Sequence, residues 1–262
     1  MQIAPQSKVN EILSSLMEAV SSSTVLSEFE IAYYKREAEK LPEASHTHLT
    51  LTILYTSLKQ QKQALLHAHE AIRLAPDDQV ILGNIIWALS FVGAAKTVYE
   101  LIKKIPTEIC TGKVLENILV ASHFFNDLEL TEGLLKQLES EQPDASRYKS
   151  ELAHFQTKMN NIACAKQRIN FSENDFLELS LLALELVERS PNINAVSSYI
   201  YALPESDKIC LSFEVNCEPE AIFDLNWELS QLITETNLMS SPVIARFDVA
   251  DNNHELTRSG GF

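Results

Sequence analysis

The sequence predicts a mostly helical chain, with a stack of helical hairpins over residues 1–171 and a small acidic α+β unit over 172–262. Three observations point there. Pro76 and Pro143 each end a helix-like stretch, and their separation is close to two units of roughly 34 residues. Apolar residues recur at helical spacing through most of the chain and then alternate at strand spacing near its end. The charge shifts at the same place: residues 1–171 carry a net −3 and residues 172–262 a net −12 of the total −15.

Four helix pairs are expected, over 7–20 with 26–41, 46–59 with 62–74, 79–91 with 94–104, and 112–124 with 128–141. The second is the most regular, with Leu51, Tyr55, Ala64, Ala68, Ala71 and Pro76. One period later stand Leu82, Ile85, Leu89, Val98, Ile102 and Ile105, and a further period gives Leu115, Ile118, Ser122, Thr131, Leu135, Leu138 and Pro143. One period earlier only Met17 and Pro42 correspond. This arrangement resembles the tetratricopeptide repeat superfamily, best over residues 45–78 and in degenerate form over 1–143. It departs from that pattern at His48, where a large aromatic is usual, at Thr52, where glycine is usual, and at Ala68, where a larger aromatic is usual.

The resemblance implies a right-handed α-solenoid in which the first helix of each hairpin lines a concave groove. On that register the groove residues are His46, Leu49 and Ile53, then Val80, Gly83 and Trp87, then Lys113, Glu116 and Val120. The first pair would add Ile12, Ser15 and Ala19. Members that clamp a free carboxylate use Lys, Asn and Arg at such positions. Here Lys113 alone is basic, so an apolar peptide or helix is the expected ligand, with Trp87 as its anchor. Two alternatives stay open: Trp87 packed inside the stack, or the groove filled by the chain's own helix over 173–189.

Residues 145–169 form one further helix, with Tyr148, Leu152, Phe155, Met159 and Ile162 on a narrow stripe. Asp144 is its expected N-cap. A half-wet helix of this kind suits the end of a solenoid, where it would cap the last repeat. Ser172 to Asp175 then reads as a capping-box variant opening a helix that is apolar nearly all round. Strands follow at 196–203 and 208–215, joined by a turn at Pro204–Asp207. A helix starts near Pro219 and buries Ile222, Leu225, Leu229, Leu232 and Ile233. A last strand spans 242–249, and the polar residues 250–262 read as a tail. The result is a three-stranded sheet with its helices on one face, for which no family resemblance is evident.

The acidic excess argues against nucleic acid as a partner, because a phosphate backbone would be repelled; a basic protein surface would be attracted to the acidic last third. Cys110, Cys164, Cys210 and Cys217 are too few and too scattered for a disulfide scaffold. The first eleven residues lack a secretion-signal pattern, and no apolar run approaches the roughly 18 residues that cross a bilayer. A cytoplasmic protein is expected. His46 and His48, like His67 and His69, stand two apart and do not share a helical face, so no metal site is read. Phosphate-cradling and nucleophile motifs are missing, and neither cofactor nor catalytic residue is assigned. The expected function is non-catalytic protein binding by an adaptor, scaffold or chaperone-like module. The alternatives are a homo-oligomer, possible as a dimer, pairing through the C-terminal sheet, and a small enzyme with a site between the two halves.

Overall fold

The computed structural model describes residues 5–105, 110, 112–122, 124–141, 149–190, 193–203 and 207–250. Within them lie helices α1 (Pro5–Ser21), α2 (Glu28–Glu39), α3 (Ala44–Ser57), α4 (Gln61–Leu74), α5 (Gln79–Ser90), α6 (Ala95–Ile102), α7 (Gly112–Ser122), α8 (Leu128–Glu141), α9 (Lys149–Lys166), α10 (Glu173–Arg189) and α11 (Pro219–Thr234). The strands are β1 (Ala195–Ala202), β2 (Ile209–Val215) and β3 (Val243–Val249). The molecule is thus mostly helical with a small three-stranded sheet near its C-terminal end, as expected. Asp144, the turn at 204–206 and the tail from 251 lie outside the described residues.

The chain forms two compact units. One comprises the residues up to Ala94 together with Cys110–Asn117, and the other comprises most of the chain from Ala95 onward. The expected boundary at 171 falls inside the second unit, and α5 and α6, read as one hairpin, belong to different units.

In the first unit α3 is central. It packs on α1, α2, α4 and α5, and Leu49, Thr50, Thr52, Ile53, Leu54 and Thr56 are all buried. Alanines at 64, 68 and 71 are buried on α4 and leave the space for close approach to α3. Tyr55 fills the gap between the first two hairpins: its ring stacks on His67 of α4 at 5.4 Å, and Lys35 of α2 lies 5.2 Å from its centre. His48 Nδ1 and His67 Nδ1 are hydrogen-bonded at 2.9 Å and tie α3 to α4. Helix starts are capped locally. Ser27 and Glu30 make a reciprocal capping box on α2, and Asp78 accepts from the amides of Val80 and Ile81 on α5.

The second unit is built around α10. It carries Phe176, Leu179, Ala183, Leu184, Leu186 and Val187, all buried. It packs on α6, on α11 and on β2 and β3, which is why its sequence is apolar nearly all round. Polar bonds fix the α6 contact: Lys96 pairs with Glu185, and Thr97 donates from both its amide and its hydroxyl to Glu188. Ser172 caps the helix by accepting from the Asn174 amide. Asp175 does not complete a capping box and instead accepts from Ser241.

The sheet order is β1-β2-β3, antiparallel between β1 and β2 and parallel between β2 and β3. The parallel pair follows from α11, which carries the chain back to start β3 beside the start of β2. Ile209, Leu211, Phe213 and Val215 register with Val243, Ala245, Phe247 and Val249, giving one apolar face. The other face is knit by side chains, with Ser197 donating to Glu214 at 2.8 Å, Ser212 to Asp248 at 2.5 Å and Arg246 to Asp248 at 3.0 Å. Helix α9, expected to cap the helical array, packs against β1. There Lys158 donates to Ser198 at 3.3 Å and Asn161 to the Ile200 carbonyl at 3.4 Å.

Candidate functional site

Leu49 and Ile53 are fully buried and Trp87 nearly so. They are core side chains of the first unit and not an open wall, because α3 and α5 turn these residues onto neighbouring helices. Trp87 packs on Phe91 with ring centres 4.8 Å apart. Gly83 marks a close approach: a Cβ there would lie 3.0 Å from Val114 Cγ2, and Asn117 donates to the Gly83 carbonyl at 2.9 Å. Of the expected groove residues, Val80 is exposed, while His46, Glu116 and Val120 are half-buried. Val120 belongs to the second unit, and the side chain of Lys113 lies outside the described residues. Of the first-pair residues, Ile12 and Ala19 are buried and Ser15 is exposed.

Apart from Val80, the exposed apolar surface lies elsewhere. On the first unit it begins at Val25, 92% exposed, and continues on α2 with Phe29, 76% exposed, and Tyr33. Phe29 and Tyr33 stand one turn apart on α2, and Val25 lies in the segment just before the helix. The mounting beneath them is firm. Ala38 is fully buried, and the Glu37 carboxylate is gripped by Lys8 of α1 and by Lys40. Hydrogen bonds from Lys40 and Lys8 hold that carboxyl down at about 2. The flanking charges are mixed, with Glu28 and Glu30 near one end of α2 and Lys35, Arg36, Glu37 and Glu39 towards the other.

On the second unit, α11 buries Leu225 and Leu229 and turns Phe223, 71% exposed, and Trp227, 59% exposed, away from the core. Glu220, Asp224, Glu228 and Gln231 share this outer side and are exposed. Between α10 and α11 runs an open groove of about 510 Å³, lined by Leu186, Arg189, Glu228, Gln231 and Leu232 among others. A second depression, about 420 Å³, is lined chiefly by polar groups including Asn170, Ser172, Asp175, Asn237 and Ser241.

Groups with displaced proton affinities are structural in setting. Burial and a hydrogen bond to Asp127 raise Tyr99. Burial and the Cys210 hydrogen bond push Tyr201 up to about 12. Burial pushes Lys158 down to about 7. Among the described residues no cluster of His, Cys, Asp or Glu could hold a metal, and no helix is long and apolar enough to cross a membrane. None of the four cysteines is in a disulfide. No protein-family model, curated protein or solved structure matches the chain.

Proposed function

We propose that this protein is a non-catalytic interaction module that presents a partner-binding face on a tetratricopeptide-like helical unit. The carrying observation is the exposed pair Phe29 and Tyr33 on α2 with Val25 just before it, three large apolar side chains held in water at a rigidly mounted helix. Left in solvent, such groups gain nothing for the fold, whereas burying each against a partner is worth about 1.5–3 kcal/mol. Aromatic side chains in such positions are the usual energetic centres of protein interfaces. The packing of α3 on both helices before it and both helices after it supports the repeat reading, since it is the neighbour pattern of stacked hairpins. The ligand is an apolar helix or peptide, and its place is the outer side of α2, since Leu49, Ile53 and Trp87 are buried.

A photo-crosslinking side chain placed at Phe29 tests this. In cells it should give discrete adducts that a control at the exposed Lys62 does not, and Tyr33→Ser should weaken them. Equal labelling at both positions would sink the proposal. Sedimentation of the purified protein separates a second copy from a different partner, and thereby weighs the competing reading of self-assembly through β1 or β3, each of which pairs on one side only.

A further inference from the structure

We infer that the outer face of α11 docks a basic helical segment of another protein, one that carries lysines or arginines beside an apolar anchor. This inference does not rest on the α2 surface, which lies on the other unit.

Three observations on α11 converge. Phe223 and Trp227 stand one turn apart and both project into solvent, although the helix already has a complete buried side in Leu225 and Leu229 with Ile222, Leu232 and Ile233 half-buried beside them. Packing among the described residues therefore gives no reason for the two rings. Next to them Glu220, Asp224 and Glu228 repeat every fourth residue, so the carboxylates form a row parallel to the aromatic pair. That row borders the open groove against α10, where Leu232 and the buried Leu186 supply an apolar floor.

Charge selects the occupant. From residue 209 to residue 245 there are six acidic residues and no lysine, arginine or histidine, so nothing on α11 neutralises the row, and Arg189 of α10, which lines the groove, is paired with Glu185. An acidic partner, an anionic membrane or a second copy of this chain, itself at −15, meets repulsion here. A segment with basic groups at helical spacing meets carboxylates at matching intervals, and its cations can also lie over the indole and phenyl faces. Its apolar side chain has the groove to enter. Affinity comes from the rings and the groove, while the carboxylates set partner choice and encounter rate.

The experiment uses the full chain and three synthetic peptides of equal length: a Leu/Lys amphipathic helix, its Leu/Glu counterpart and oligolysine. The chain has two tryptophans, and Trp87 is buried, so acrylamide quenching reports chiefly Trp227. The Leu/Lys peptide should shield Trp227 in a saturable way and shift its emission to the blue, with weaker binding as salt rises. Phe223→Ser should weaken binding at least tenfold, and so should the combined Glu220→Gln, Asp224→Asn and Glu228→Gln change. Both variants alter only exposed side chains, and unchanged circular dichroism verifies their fold. Equal shielding by the Leu/Glu peptide or by oligolysine would overturn the inference, as would unaltered affinity in Phe223→Ser or no shielding by any peptide.

Discussion

Replacing Lys158 with methionine should stabilise the second unit at neutral pH and remove a rise in stability with pH. Lys158 is buried on α9 with its ammonium donating to Ser198. Burial lowers its proton affinity from 10.5 to about 7, and at about 1.4 kcal/mol per unit the charged form is penalised by at most about 5 kcal/mol. Losing the bond to Ser198 offsets about 1 kcal/mol or more of the gain, so a net stabilisation of about 2–4 kcal/mol is expected at pH 7. The sign follows from linkage. Below about pH 7 both folded and unfolded chains hold the proton, and the full penalty applies. Between about 7 and 10.5 the unfolded chain holds a proton that the folded chain has released, so stability rises with pH. Above 10.5 the penalty has gone. Urea unfolding followed by circular dichroism at pH 6.5, 8 and 9.5 measures this, because other groups titrate alike in both proteins and cancel in the difference. A difference that stays constant across the series, or a methionine variant that is less stable at pH 6.5, would refute the reasoning.

Two further expectations concern polar contacts inside the units. Burial and the facing His48 lower the proton affinity of His67, so the unfolded chain takes up this proton first and the first unit loses stability as pH falls below about 6.5. Melting temperatures at pH 7.5 and 5.5 should show a smaller acid loss in His67→Phe than in the native chain, and equal losses would count against the histidine pair. Asp127 accepts from the Tyr99 hydroxyl at 2.9 Å and from the Leu130 amide at 2.9 Å. Asp127→Ala leaves a buried phenol and a helix start without an acceptor, and should cost about 3 kcal/mol in denaturant unfolding; a loss under 1 kcal/mol would show that these bonds contribute little.

The α3–α4 hairpin was legible because its signals are local; the other expected pairs, α1 with α2, α5 with α6 and α7 with α8, are not closely packed partners among the described residues. Helical spacing placed α3 and α4 within a few residues, and the small alanines at 64, 68 and 71 correctly implied close approach. The sheet was equally readable from the alternation at Ile209 to Val215 and Val243 to Val249. What the pattern could not carry was the identity of the neighbours. Leu49 and Ile53 look the same in sequence whether they line a groove or meet another helix, and α3 has neighbours on every side. The placing of α9 failed for a similar reason, since a narrow apolar stripe suits a terminal cap and a sheet alike, and nothing local signals that Lys158 sits opposite Ser198. The exposed rings were within reach. Once Ile222, Leu225, Leu229, Leu232 and Ile233 were assigned to the core, Phe223 and Trp227 were left on the far side of the same helix. On α2, Phe29 and Tyr33 share a spacing that passes for a buried stripe, although both face water.

The partnership of α6 with α10 bears on the order of events during synthesis. Lys96 and Glu185 are separated by 89 positions and Thr97 and Glu188 by 91, while α3 and α4 adjoin in the chain. On the ribosome the α3–α4 hairpin can close as it emerges, but the α6 contact with α10 must wait for about ninety more residues, roughly 5–20 s at ordinary elongation rates. For that interval Val98, Leu101 and Ile102, buried in the finished protein, are a natural landing place for a holdase. Nascent chains arrested before residue 185 should be cut by protease within this stretch, and chains arrested well beyond it should not.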